Sequence, residues 1–180
     1  MEQILFGAPV AEQLDEISKN AFQKHSKDNE KPHLTAITVG DNPASLLYVT
    51  RKQEKALDLG VEFNWLKLHS NTSQETLEDV ITTESDSTDG LIIQLPLPSH
   101  LNPENAINCI PHEIDVDGLT SHNLGSLFSD TYNLIPATSL AVLELLNFYN
   151  IKTDDKNIVI AGRSRLVSAP LAKILSSKSY

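Results

Sequence analysis

The chain has 180 residues, 24 acidic and 14 basic, for a formal net charge of −10. That length holds one domain, or one domain and part of a second. The acidity argues against a nucleic-acid partner, the absence of any run of roughly 20 apolar residues argues against a membrane span, and a single cysteine, Cys109, permits no internal disulfide and suits a reducing compartment.

In chain order, Val10, Leu14, Ile17 and Phe22 follow Pro9 near helical spacing and predict an amphipathic helix. Ser26 to Pro32 reads as a polar loop, and Leu34 to Val39 as a buried strand. Asn42 can cap the next helix, with Pro43 in its first turn and Gly60 as its stop. Val61 to Leu68 reads as a second strand. Thr72-Ser73-Gln74-Glu75 has capping-box spacing ahead of Leu77, Val80 and Ile81. Leu91 to Leu95 reads as a third strand, ended by Pro96 and Pro98. Asn102-Pro103 opens a short helix, Pro111 to Leu127 reads as an extended polar segment, and Thr138 caps a helix reaching about Asn150. Asn157 to Ala161 is expected as a fourth buried strand, and Gly162 to Ala169 as a turn into a last helix running nearly to Tyr180. Strands alternating with helices predict an α/β fold, a parallel sheet with helices on both faces. Ligands in such folds bind beyond the carboxyl ends of strands, which directs attention to Gly40–Asn42, Gln94–Pro98 and Gly162–Ser168.

Four segments offer chemistry. Tyr48 and Lys52 lie four apart, so a helix puts them on one face, one turn apart. A partly desolvated lysine can act as an acid or base, and a tyrosine beside it can stack on a flat ligand. The plainer reading is a solvated surface, because Lys52 sits in the charged run Arg51-Lys52-Gln53-Glu54-Lys55. Gln94 interrupts an apolar strand end; its amide either closes a turn or points into a cleft. Asp115-Val116-Asp117-Gly118 offers carboxylates able to pair with a planar N–H edge. It is not a calcium loop, since Thr120 and Ser126 stand where glycine and glutamate are needed; a transition-metal site from His112, Glu113 and Asp117 is a weak alternative, because no histidine pair has metal-ligand spacing, and no metal is expected. Gly162-Arg163-Ser164 opens a strand-to-helix turn suited to phosphate, with Arg163 suited to a ribose phosphate, although the generic dinucleotide fingerprint fails at Ser164 and Val167.

Together these segments resemble one known pattern. Val39-Gly40-Asp41-Asn42-Pro43-Ala44-Ser45 with Tyr48 and Lys52 resembles the first signature of the methylenetetrahydrofolate dehydrogenase/cyclohydrolase family. Asp89-Gly90-Leu91-Ile92-Ile93-Gln94-Leu95-Pro96-Leu97-Pro98 resembles the second, and Asp115-Val116-Asp117-Gly118 with Asn123 and Gly125 the third. Gly162-Arg163-Ser164 with Val167 and Pro170 is similar to the nucleotide loop. The resemblance implies a folate-binding catalytic domain over 1–137, then the first part of a Rossmann-like NAD(P)-binding domain over 138–180. It implies hydride transfer from 5,10-methylenetetrahydrofolate to NADP or NAD, then hydrolysis of the methenyl product to 10-formyltetrahydrofolate. Lys52 would be the catalytic lysine, Tyr48 would pack on the pterin, Gln94 would hydrogen-bond the lysine, and Asp117 would hold the pterin's amino-pyrimidine edge. Gly162, Arg163 and Ser164 would bind the cofactor. Substrate and cofactor are then the expected partners, in a cytoplasmic rather than mitochondrial protein, with a homodimer as the family's usual assembly.

The departures from the family pattern gather in the second domain. The family's Pro-Cys-Thr-Pro-x-Gly is Pro136-Ala137-Thr138-Ser139-Leu140-Ala141 here, and its glycine after the loop valine is Ser168. The lysine usual before Asp-Val-Asp-Gly is Ile114. Relative to the pattern, the chain also stops after one strand–helix unit of that domain. The cyclohydrolase half is therefore expected to be better preserved than the dehydrogenase half. The alternative is a non-catalytic, folate-binding or regulatory paralogue.

Overall fold

The computed structural model describes residues 4–25 and 31–177. Its contacts divide the chain into two units, one of residues Glu16–Val116 and one of Met1–Asp15 with Asp117–Tyr180. Helix α1 (Gly7–His25) runs through the division after Asp15. Its apolar stripe is only partly covered: Val10 is buried, whereas Ile17 is 56% exposed. Most of the loop expected from Ser26 to Pro32 lies outside the described residues. Among the described residues, no helix is long and apolar enough to cross a membrane.

The Glu16–Val116 unit holds strands β1 (His33–Val39), β2 (Glu62–Leu68) and β3 (Gly90–Ile93), joined through helices α2 (Pro43–Leu59) and α3 (Gln74–Ser85) and followed by α4 (Pro103–Asn108). The strands are parallel in the order β2-β1-β3. One connection steps outward from β1 to β2, and the next steps back past β1 to β3. Crossovers of one hand in opposite directions put their helices on opposite faces. On one face, Val49 of α2 packs with Ala36 and Ile92, against Leu34, Phe63 and Trp65. On the other, Asn64 of β2 donates its amide to Glu84 of α3 at 3.1 Å. The expected parallel sheet with helices on both faces is therefore present. Because β1 and β3 are neighbours whose following segments diverge, the sheet has a topological switch point between them.

Local signals set most boundaries. The Asn42 side chain accepts from the N–H groups of Ala44 and Ser45, Pro43 takes the first turn, and Gly60 ends α2 at φ 83°. The capping box of α3 is displaced by one residue from expectation. Ser73, not Thr72, is the cap and accepts from Thr76, while the Thr72 hydroxyl turns back to the His69 carbonyl.

The second unit departs further from expectation. The segment read as extended contains helix α5 (Ser121–Phe128), capped by Thr120, whose side chain accepts from the Asn123 N–H. Helix α6 (Ala137–Phe148) starts from Pro136 rather than from Thr138, with no side-chain cap. No strand forms over 157–161; Ile158 is 43% and Val159 90% exposed. A strand exists only through its ladder partners, and none stands beside this segment among the described residues. Helix α7 (Ser168–Ser176) follows, and beyond Ser177 the expected continuation lies outside the described residues. Leu127 of α5, Leu143 of α6, and Leu171 and Ile174 of α7 form this unit's core.

Candidate functional site

Helix α2 carries the first candidate pair. Its interior is rich in good helix formers, and Val49 and Ala56, seven apart, anchor one side into the core. Tyr48 and Lys52 fall on an adjoining face and both line a cavity of about 530 Å³. Its walls are mostly apolar, with Phe22, Leu34, Leu59, Val61, Ile92 and Val116. Arg51 and Lys55 of the same helix complete the α2 side, and Asp89 is the acid in the lining. The Asp89 carboxylate accepts from the His33 N–H at 2.8 Å, so it is already engaged. Tyr48 is 57% exposed, which leaves its ring available to a ligand.

This cavity does not open where the strand-end rule pointed. Its lining includes His33 and Gly90, the first residues of β1 and β3. Helix α2 runs back along β1, and at about 1.5 Å per residue Lys52 lies roughly 13 Å along it from Pro43. The pair is thereby carried from the carboxyl end of the sheet towards its amino end.

Gln94 stands apart from that lining. It follows β3, its N–H donates to the Ile37 carbonyl at 2.9 Å, and its side-chain amide donates to the Leu95 carbonyl at 2.8 Å. Its Oε1 is buried with no hydrogen-bond partner. A buried acceptor left without a donor costs free energy, so it is a standing place for an ammonium or a water. Asp115 is buried, and the chain beside it bridges to β3, the Leu91 N–H donating to the Ile114 carbonyl at 2.8 Å.

In the second unit, Asp117 is half-buried and precedes Gly118. Gly118 has φ 69°, and a Cβ there would lie 2.5 Å from Leu134, so both backbone and space require glycine. The Gly162 turn is closed by its own bonds: the Leu166 N–H donates to the Ser164 hydroxyl at 3.0 Å, and the Ala169 N–H to the Ser164 carbonyl at 3.0 Å. The Ser164 O–H keeps its proton to donate. Arg163 is exposed. A Cβ on Gly162 would lie 2.5 Å from the Ser168 Oγ, so the turn and the start of α7 approach as closely as glycine allows. An exposed guanidinium, a hydroxyl and a glycine turn ahead of a nine-residue helix fit a phosphate-bearing cofactor.

Sequence reading missed Arg51 and Lys55 as site residues, because their charged run resembles an ordinary solvated face. The available signal was positional: Tyr48, Arg51, Lys52 and Lys55 recur at helical spacing. Ser139, read in the sequence only as a departure from the family pattern, is buried and donates its hydroxyl to the Val167 carbonyl at 3.1 Å.

Residues 5–117 match the tetrahydrofolate dehydrogenase/cyclohydrolase catalytic domain, and residues 136–180 match the NAD(P)-binding domain of the same enzymes. The bifunctional protein FolD of Streptococcus equi subsp. equi is 35% identical over 182 residues, covering 99% of this chain and 64% of that protein. The chain thus spans under two thirds of that relative's length. Among solved structures, a 5,10-methylenetetrahydrofolate dehydrogenase from the silkworm Bombyx mori is 37% identical, with a TM-score of 0.92 over 98% of this chain and 62% of that one. The Trypanosoma brucei N5,N10-methylenetetrahydrofolate dehydrogenase-cyclohydrolase, solved with NADP and an inhibitor, is 28% identical, with a TM-score of 0.91 over 98% of this chain and 62% of that one. Matched through both domains, in order, and over more than half its length, this chain belongs to the tetrahydrofolate dehydrogenase/cyclohydrolase family.

Proposed function

We propose that the chain interconverts one-carbon folates, oxidising 5,10-methylenetetrahydrofolate and hydrolysing the 5,10-methenyl product to 10-formyltetrahydrofolate. The observation that carries this reading is the joint placement of Tyr48 and Lys52 on one apolar cavity inside the catalytic-domain match. The names of the relatives support the substrate and both reactions. The organisation that goes with it is a folate-binding catalytic domain over 1–137 and the first part of the NAD(P)-binding domain over 138–180.

In hydrolysis, water adds to the carbon of the methenyl cation and loses one proton to give a neutral carbinol; N5 then takes a proton as its bond to that carbon breaks, and the carbinol O–H releases its proton to solvent as the formyl C=O forms. Lys52 is the residue assigned to accept the water's proton and return it to N5. Tyr48 packs on the substrate's ring system; Gln94, the residue assigned to hydrogen-bond the lysine, has a buried Oε1 without a partner but stands outside the lining that holds Lys52. Asp117 takes the amino-pyrimidine edge, since a carboxylate matches two adjacent donors. Gly162, Arg163 and Ser164 hold NADP or NAD, which supplies the hydride acceptor when bound. Arg163 favours NADP, because a guanidinium pairs well with a ribose phosphate. The hydrolytic half keeps all its assigned side chains, whereas Ser139 and Ser168 alter the cofactor side. The acidic chain with one cysteine fits a cytoplasmic enzyme of small-molecule partners, without nucleic acid or membrane, and a homodimer is the assembly to test.

The test is the absorbance loss of 5,10-methenyltetrahydrofolate with wild type beside Lys52→Met. A loss that disappears in the variant supports the reading. A folded wild type that does not accelerate hydrolysis, or a variant as fast as wild type, overturns it.

A further inference from the structure

The run Asn157-Ile158-Val159-Ile160-Ala161 has strand composition and no strand beside it among the described residues. Among those residues, none of its backbone N–H or carbonyl groups takes part in a hydrogen bond. Ile160 packs on the core of Leu127, Leu143, Leu171 and Ile174. Val159 lies away from that core and is 90% exposed, next to Ile158 at 43%. An exposed β-branched run with unspent backbone donors and acceptors is a template for a second strand.

The two ends of the run carry opposite charge. Asp154 and Asp155 precede it and Arg163 follows it, all exposed. Asp155 stands four residues before Val159, and Arg163 four residues after it. In an antiparallel pair with its two-fold axis at Val159, each residue faces the one equally far on the other side. The whole run then covers itself, and Asp155 of each copy comes opposite Arg163 of the other, at both ends of the ladder. Lys156 comes opposite Gly162 and meets no cation. A parallel pair in register would instead set Asp155 beside Asp155 and Arg163 beside Arg163, and like charges across strands destabilise. Two copies of a chain of net charge −10 repel each other overall, so a contact between them requires local matching of this kind.

We propose that the chain pairs with a second copy of itself through residues 157–161, as an antiparallel two-stranded ladder across a two-fold axis at Val159, with Asp155 of each copy against Arg163 of the other. The occupant is a second copy because the run and its flanking charges are complementary to themselves. The contact is small, below about 1,200 Å², so the dimer is weak and reversible. Arg163 is also the residue assigned to the cofactor's phosphate, so the test is made without cofactor. It needs no folate and is independent of the folate reading.

The experiment is sedimentation equilibrium of the full chain from about 10 μM to about 1 mM, a range that brackets a contact of this size. A reversible monomer–dimer equilibrium is expected, and amide exchange of 157–161 should slow as dimer forms. Val159→Lys sets two ammonium groups opposite each other on the axis and should weaken association about ten-fold or more. Arg163→Glu alone and Asp155→Lys alone should do the same. Mixed together, those two charge variants meet opposite charges at both ends, and their heterodimer should return to within about three-fold of the wild-type affinity. Val159 and Arg163 are exposed, so Val159→Lys and Arg163→Glu keep the wild-type circular dichroism. They carry the test if Asp155→Lys is unstable at its φ of 57°. A chain monomeric throughout that range overturns the proposal. So does a dimer whose 157–161 amides exchange as fast as the monomer's, association that Val159→Lys and Arg163→Glu leave unchanged, or folded charge variants that fail to pair when mixed.

Discussion

The Ser139 hydroxyl of α6 donates to the Val167 carbonyl at 3.1 Å, and the same oxygen accepts the Leu171 N–H of α7 at 3.0 Å. That side-chain bond ties α6 to the start of α7. Ser139→Ala removes that bond but leaves Val167 with its helical donor, so no orphaned carbonyl results. The expected cost is about 1 kcal/mol, read as a shift in the urea midpoint. Ser139→Pro should cost less than Ser139→Ala. The first turn of a helix tolerates proline, and the unfolded chain loses entropy.

Gly162 and Ser168 form a coupled pair. A methyl on Gly162 would meet the Ser168 Oγ at 2.5 Å, and the serine must rotate away. Gly162→Ala is expected to destabilise by about 1 kcal/mol or more, as mild overpacking does. In a Ser168→Gly background the steric part of that penalty should vanish, while the part set by the positive φ of Gly162 remains. A double-mutant cycle with no coupling would show that the two residues do not compete for space.

The cap of α2 supports the helix that bears Tyr48 and Lys52. Asn42 accepts from Ala44 at 3.0 Å and Ser45 at 3.1 Å. Asn42→Ala should cost about 1 kcal/mol, whereas Asn42→Asp should cost far less because it keeps the acceptor. Thermal unfolding of the two variants side by side distinguishes loss of the cap from loss of side-chain volume.

Burial pushes the Cys109 thiol up, and the negative charge of Glu78 adds to the effect. Both disfavour the thiolate, which is the reactive form. Alkylation of Cys109 at pH 8 should therefore be slower than that of a small free thiol. Its rate should keep rising at higher pH, where the free thiol has already levelled off. Glu78→Gln should speed the reaction modestly at pH 8. A rate equal to the free thiol's would contradict the assigned environment.

Sequence and structure agree where the determinant is local. Asn42-Pro43 and Gly60 bound α2 because a side-chain acceptor, a fixed φ and a left-handed glycine act within a turn of their own position. Asn102 and Pro103 fix α4 in the same way. Two elements failed for opposite reasons. Helix α5 has only eight residues and contains Gly125, too short a window for its spacing to be read as helical, and Thr120 with buried Asn123 holds it. The 157–161 segment has strand composition, but composition does not supply a ladder partner.

The site divides along the same line. The four-residue spacing of Tyr48 and Lys52 was legible, and so was the family pattern across all four motifs. That Arg51 and Lys55 join them around a cavity was not, because a charged run on a helix looks the same whether it faces water or a pocket. By itself, the sequence determined the family, the alternating strand–helix order and the ends of α2, through residue chemistry acting over a few positions. Only the tertiary structure decided which face of α2 borders a cavity, that Gln94 lies away from it with a buried acceptor unmet, and that 157–161 remains unpaired. Each of these depends on which distant segments come together, and burial and pairing are properties of that meeting rather than of any residue alone.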